Sequence, residues 1–137
     1  MQNNKIPFAI KFNVYYVFFA TICLLIALIM LPNISKESDL YNSFSYLIEG
    51  TMSIVNNILI ILEALIVGYL YFVNQDIRKV VKVIVTFTII FIFLIFLQTD
   101  FSDPDDLFGS VISISFDVVP VIWMVASKDV RQYIGWQ

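Results

Sequence analysis

"VVKVIVTFTIIFIFLIFL", residues 80–97, carries one charged side chain, Lys82, in an otherwise apolar or hydroxyl-bearing run. A helix needs about 20 mostly apolar residues to cross the hydrocarbon core of a bilayer. This stretch meets that need or nearly so, and so do three others, roughly Val14–Leu31, Thr51–Val73 and Gly109–Ala126. Four such spans in 137 residues leave no room for a soluble domain. Composition agrees: 60% of residues are hydrophobic, 14% are charged and the mean hydropathy is +0.88, against about 45–50% apolar and 25% charged for soluble domains. The expected fold is an all-α four-transmembrane-helix bundle, one integral membrane domain over residues 1–137.

Lys5 and Lys11 precede the first span as the basic region of a secretory signal would. Its apolar run exceeds the usual core of about 7–15 residues, and "MLPNISKES", residues 30–38, offers no A-x-A-like cleavage site. The first span reads as a retained anchor. With four spans, the N-terminus, the middle loop and the C-terminus share one side. They carry Lys5, Lys11, Arg78, Lys79, Lys82, Lys128 and Arg131, seven of the eight basic residues, and the positive-inside rule makes that side cytoplasmic. The outer loops hold Lys36 against Glu37, Asp39, Asp100, Asp103, Asp105 and Asp106. The net charge of -3 thus comes with acidic outer loops and gives no sign of nucleic-acid binding; any partner on the outer side is expected to be cationic.

Much chemistry is excluded by what the chain lacks. It has no histidine and one cysteine, Cys23, inside the first apolar run. Cys/His zinc sites, Ser-His-Asp triads and disulfides therefore have no residues to form them. Among four glycines there is no phosphate-binding loop. No metal site, cofactor or catalytic residue is expected, and the "GxGD" setting of intramembrane aspartyl proteases is absent. "DFSDPDD", residues 100–106, lacks the spacing of a calcium loop. It has what a helix start requires: Asp103 as N-cap acceptor, Pro104 where no donor is needed, and Asp105 and Asp106 beside the positive end of the helix dipole.

Asp117 has no such explanation. It lies near the centre of the fourth span, where an ionised side chain costs at least about 2.5–3.5 kcal/mol on insertion scales. At helical spacing Ser110, Ser113, Asp117, Pro120 and Met124 share one face, with Ser115 on the opposite one. The second span has a matching stripe, Glu49, Ser53, Asn56 and Glu63, within about an 80° arc and with Asn57 and Ala64 at its edge. Glu63 and Asp117 stand at nearly the same depth, each about 15–17 Å by helical rise from the basic ends of their helices. Three readings of these acids stay open. They are protonated or hydrogen-bonded to Asn56, Ser113 and similar groups, as interhelical glue; they form a proton or cation site; or they dock a cation of another membrane protein.

Small pairs four apart, Cys23/Ala27, Ala64/Gly68 and Gly109/Ser113, predict close packing of the first, second and fourth helices. The third, bulky all round over "TFTIIFIFLIF" (residues 86–96), is expected to face lipid or a partner. Leu40, Tyr41, Phe44, Leu47 and Ile48 follow helical spacing ahead of the second span. Tyr133 and Trp136 predict a C-terminal tail along the inner interface.

"YLIEGTMSIVNNILIILEALIVGYLYF" (residues 46–72), "DIRKVVKVIVTFTIIF" (residues 76–91) and the closing "PVIWMVASKDVRQYI" (residues 120–134) together resemble a family of small four-span bacterial inner-membrane proteins known only as a domain of unknown function. Glu49, Asn56, Trp123, Ser127, Lys128 and Val130 are the matching positions. The resemblance implies the fold, the topology and a bacterial inner-membrane location, and supplies no activity. In size, span number and cytoplasmic termini the chain is also similar to bacteriocin immunity proteins. The expected role is non-enzymatic interaction or regulation through helix–helix contacts. Its partners are membrane lipids and another membrane protein or a second copy. The alternative is a proton- or cation-coupled transport element using Glu63 and Asp117.

Overall fold

Three of the long helices start just after a proline or an aspartate. In the computed structural model, which describes residues 5–39, 41 and 51–135, α1 (Phe8–Met30) follows Pro7, whose carbonyl accepts from the N–H groups of Ile10 and Lys11. α2 spans Thr51–Gly68 and runs on as a wider π turn over Tyr69–Val73. Gln75, at φ 52°, then reverses the chain. α3 (Ile77–Gln98) is capped by Asp76, whose Oδ1 accepts from Lys79 N–H at 3.2 Å. α4 (Pro104–Ala126) opens on Asp103, which accepts from Asp105 N–H at 3.0 Å, with Pro104, Asp105 and Asp106 in its first turn. Asp106 also accepts from Asp100 N–H at 2.6 Å. The Ser102 hydroxyl, and then its N–H, donate to the Asp100 carboxylate and hold it below the ordinary aspartate range. α5 (Lys128–Ile134) ends at Gly135 in the left-handed conformation that suits glycine after a helix.

Among the described residues there is no strand, and four helical stretches are long and apolar enough to cross a membrane: Phe8–Asn33, Ser53–Val73, Ile77–Gln98 and Pro104–Ala126. The chain is a small polytopic membrane protein with an all-α bundle fold. The first and fourth helices begin earlier than their apolar runs, because Pro7 and the Asp103-Pro104 pair set the starts upstream of the first purely apolar turn. Glu49, Leu40, Phe44, Leu47, Ile48 and Trp136 lie outside the described residues.

Each long helix packs on its neighbour in sequence, and α4 closes the ring onto α1, so α2 and α4 stand across the bundle from one another. The bundle has a basic end, with Lys5, Lys11, Arg78, Lys79, Lys82, Lys128 and Arg131, and an acidic end, with Asp100, Asp103, Asp105 and Asp106. At the basic end Ile10, Val14, Val67, Val80, Val81 and Met124 are fully buried, and Val130 and Ile134 of α5 join them from below. Tyr133 packs against this core.

Two packing expectations are corrected. α3 does not simply face lipid or a partner: Ile77, Val80, Val81, Ile84, Phe87 and Thr88 are buried. The buried residues lie mostly ahead of the bulky stretch, in which only Phe87 and Thr88 are buried while Ile89, Phe93 and Phe96 are exposed as expected. α4 is the loosely packed helix, with Met124 its one buried residue among those described. Of the small pairs, Ala64/Gly68 lies at a close approach: a Cβ on Gly68 would sit 3.1 Å from the Phe18 ring. Gly109 has no neighbour within 4 Å of such a Cβ, and Cys23 is exposed. Spacing alone does not say whether a second helix meets the small face.

Candidate functional site

Above the apolar plug the helices separate. They leave a partly open cavity of about 1000 Å³ between them that runs from the level of Glu63 and Asp117 to Gln98, Thr99 and Asp106 at the acidic end. The two polar stripes face it: Ser53, Asn56 and Glu63 from α2, with Asn57 beside them, and Ser110, Ser113 and Asp117 from α4. Glu63 is 7% exposed. Although α2 and α4 stand on opposite sides of the ring, the two carboxyls line one space. Ser115 points away and is exposed, its hydroxyl bonded to Val111 O of its own helix at 2.8 Å. No lysine, arginine or histidine is among the described residues lining the cavity. Asp103 and Asp105 are cap residues outside it.

The floor is completed by α1. Pro120 has no N–H, so Phe116 O, four residues earlier, loses its helical donor. Tyr16 Oη donates to that carbonyl at 3.1 Å. One turn further, the Asn13 side-chain amide donates to Pro120 O at 2.9 Å and to Ala9 O in its own helix at 2.8 Å. Asn13 is 2% exposed. These bonds fasten α1 to α4 at the proline break, around Asp117. Sequence reading had passed over Asn13, Tyr16 and Thr88. The available signal was the i, i+3 pair of Asn13 and Tyr16 in an otherwise apolar turn.

The hydrogen bonds also decide what the walls can offer. A hydroxyl has one proton to donate and two lone pairs to accept with. Thr88 donates to Ile84 O at 2.8 Å, Ser113 to Gly109 O at 3.0 Å and Thr99 to Ile95 O at 2.6 Å, while Tyr16 and Asn13 donate to α4 as described. Thr99 and Ser110 hydroxyls further share a bond at 2.6 Å. Ser113 thus spends its proton on its own backbone and not on Asp117. With their protons committed to backbone carbonyls, these hydroxyls keep oxygen lone pairs for the cavity, while the amides of Asn56, Asn57 and Gln98 bring both donors and acceptors to it. Two carboxyls without a basic side chain among the described lining residues suit a positive guest.

Neither a protein-family model, a curated protein nor a solved structure matches the chain.

Proposed function

We propose that this membrane protein admits a cation from the side facing its acidic end and holds it at Glu63 and Asp117, as a proton- or cation-coupled transport element. The observation that carries this reading is a cavity lined by two carboxyls and a set of hydroxyl and amide groups, with no basic side chain among its described lining residues. The role is non-enzymatic. Asn13, Tyr16 and Pro120 position the floor, and the apolar plug closes the path toward the basic end, so a complete crossing requires that plug to open. By the positive-inside rule the basic end, with both termini, faces the cytoplasm; the family resemblance of the sequence supports a bacterial inner membrane. The test is flux in reconstituted vesicles, followed with an internal pH dye and with sodium and potassium gradients. Flux that is present in the native protein and lost in Glu63→Gln and Asp117→Asn supports the reading. Flux unchanged by both substitutions removes these residues from any such mechanism.

The interaction reading keeps one observation in its favour. α4 presents Phe108, Val111, Ile112, Val119, Ile122 and Trp123 to its surroundings and buries Met124, which leaves a full apolar face for lipid, another membrane protein or a second copy. Co-purification in native lipid tests it: a stoichiometric partner lost on substituting Val119 and Ile122 supports docking there, and a monomer free of other proteins counts against it.

A further inference from the structure

We infer that the cation taken by this cavity is an amphiphilic organic one, a positive centre on an apolar body, and not a bare inorganic ion. This rests on the cation reading above and names its ligand class. Size is the first argument. A water molecule accounts for about 30 Å³, and binding sites for drug-sized ligands occupy about 300–1000 Å³; at about 1000 Å³ the cavity is at the upper limit of that range. An inorganic ion held at Glu63 and Asp117 would occupy only the floor of this partly open space, whereas an organic cation would also meet its walls. The donor set is the second. Among the described residues there is no group of three carboxylate, thiolate or imidazole side chains of the kind that holds a transition metal, whereas two carboxyls suffice to balance one organic cation.

The walls are the third argument. Val17, Ile60 and Ile95 line the same space as the polar groups, and Phe91 and, at the floor, Tyr16 bring aromatic rings to it. Aromatic faces attract a desolvated cation, and the aliphatic side chains remove its apolar body from water. The guest would lie with its charge at the floor between Glu63 and Asp117 and its body along α3 toward the acidic end. The acidic rim, Asp106 on the cavity and Asp103 and Asp105 beside it, raises the local concentration of any positive guest.

The test uses the full chain in lipid nanodiscs, titrated calorimetrically with tetraphenylphosphonium and, as a probe of the same shape and opposite charge, tetraphenylborate. Empty nanodiscs give the partition background. Saturable binding of tetraphenylphosphonium is expected, without saturable binding of tetraphenylborate. Affinity should fall about tenfold or more in Asp117→Asn and about fivefold in Phe91→Ala, with far-UV circular dichroism showing both variants folded. Should Asp117→Asn fail to fold, Phe91→Ala and competition by protons carry the test, since acidification neutralises the carboxylates and must weaken binding. Sodium or proton binding that depends on Glu63 and Asp117, with no tetraphenylphosphonium binding, overturns the organic ligand class and leaves the cation reading standing. Equal binding of the two tetraphenyl ions overturns both, because the cavity would then be an apolar slot indifferent to charge.

Discussion

Tyr16→Phe is the smallest change that tests how the floor of the cavity is held. It removes one oxygen and leaves the ring in place. If Tyr16 serves the Phe116 carbonyl because Pro120 cannot, the substitution leaves that carbonyl without its donor. Polar interhelical contacts in membranes average about 0.6 kcal/mol and reach about 1.7 kcal/mol, and an unmet buried acceptor costs about 1–3 kcal/mol. The partial exposure of this bond places the expected loss near 1 kcal/mol, about a fivefold shift in the folding equilibrium. The decisive comparison is the same substitution in a Pro120→Ala background. There position 120 regains a backbone N–H, Phe116 O recovers its helical donor, and Tyr16→Phe should cost no more than about 0.3 kcal/mol, giving a coupling of about 0.7 kcal/mol. Equilibrium unfolding in mixed micelles, followed by far-UV circular dichroism, measures all four corners of the cycle. Equal losses in the two backgrounds would refute the link between Tyr16 and the proline break.

Other consequences follow from the packing. Gly68→Leu forces a side chain into the Phe18 ring and should destabilise by about 1–3 kcal/mol, whereas Gly109→Ala, in open space within a helix, should leave stability unchanged or raise it by up to about 1 kcal/mol; unfolding in micelles separates the two. Met124→Ala empties a fully buried position of the plug and should cost about 2–5 kcal/mol. In vesicles the same variant should pass more of any transported cation than the native protein if the plug is the barrier, and an unchanged leak would place the barrier elsewhere.

Much of the fold was legible from the order of apolar runs. The capping acids were legible as well, because Asp103, Pro104, Asp105 and Asp106 act locally and their bonds lie within one turn. The polar faces of α2 and α4 were legible from helical period, which fixes angle and depth on each helix. Period says nothing of which helices are neighbours, so it could not show that Glu63 and Asp117 face each other across a ring or that a cavity separates them. The bulk of residues 86–96 did not disclose that the first two turns of α3 join the core at the basic end, and small-residue spacing did not disclose that α4 meets no second helix at Gly109. The contribution of α1 was hidden for another reason. Asn13 and Tyr16 act on backbone carbonyls of α4 about 100 positions away, and a single polar residue in an apolar span does not reveal its partner.

Thiol accessibility tests most directly whether the deep carboxyls of α2 and α4 share one space entered from the acidic end. In a Cys23→Ser background, cysteines introduced singly at Ser113, Asp117 and Ser115 are exposed in sealed vesicles to a cationic, membrane-impermeant thiol reagent on one side at a time. Cysteines at positions 113 and 117 should react from the acidic side and not from the basic side, and the one at 115, on the outward face of the same helix, should stay protected by lipid. Equal protection at all three positions would contradict a cavity open to water, and labelling of 117 from the basic side would contradict the plug.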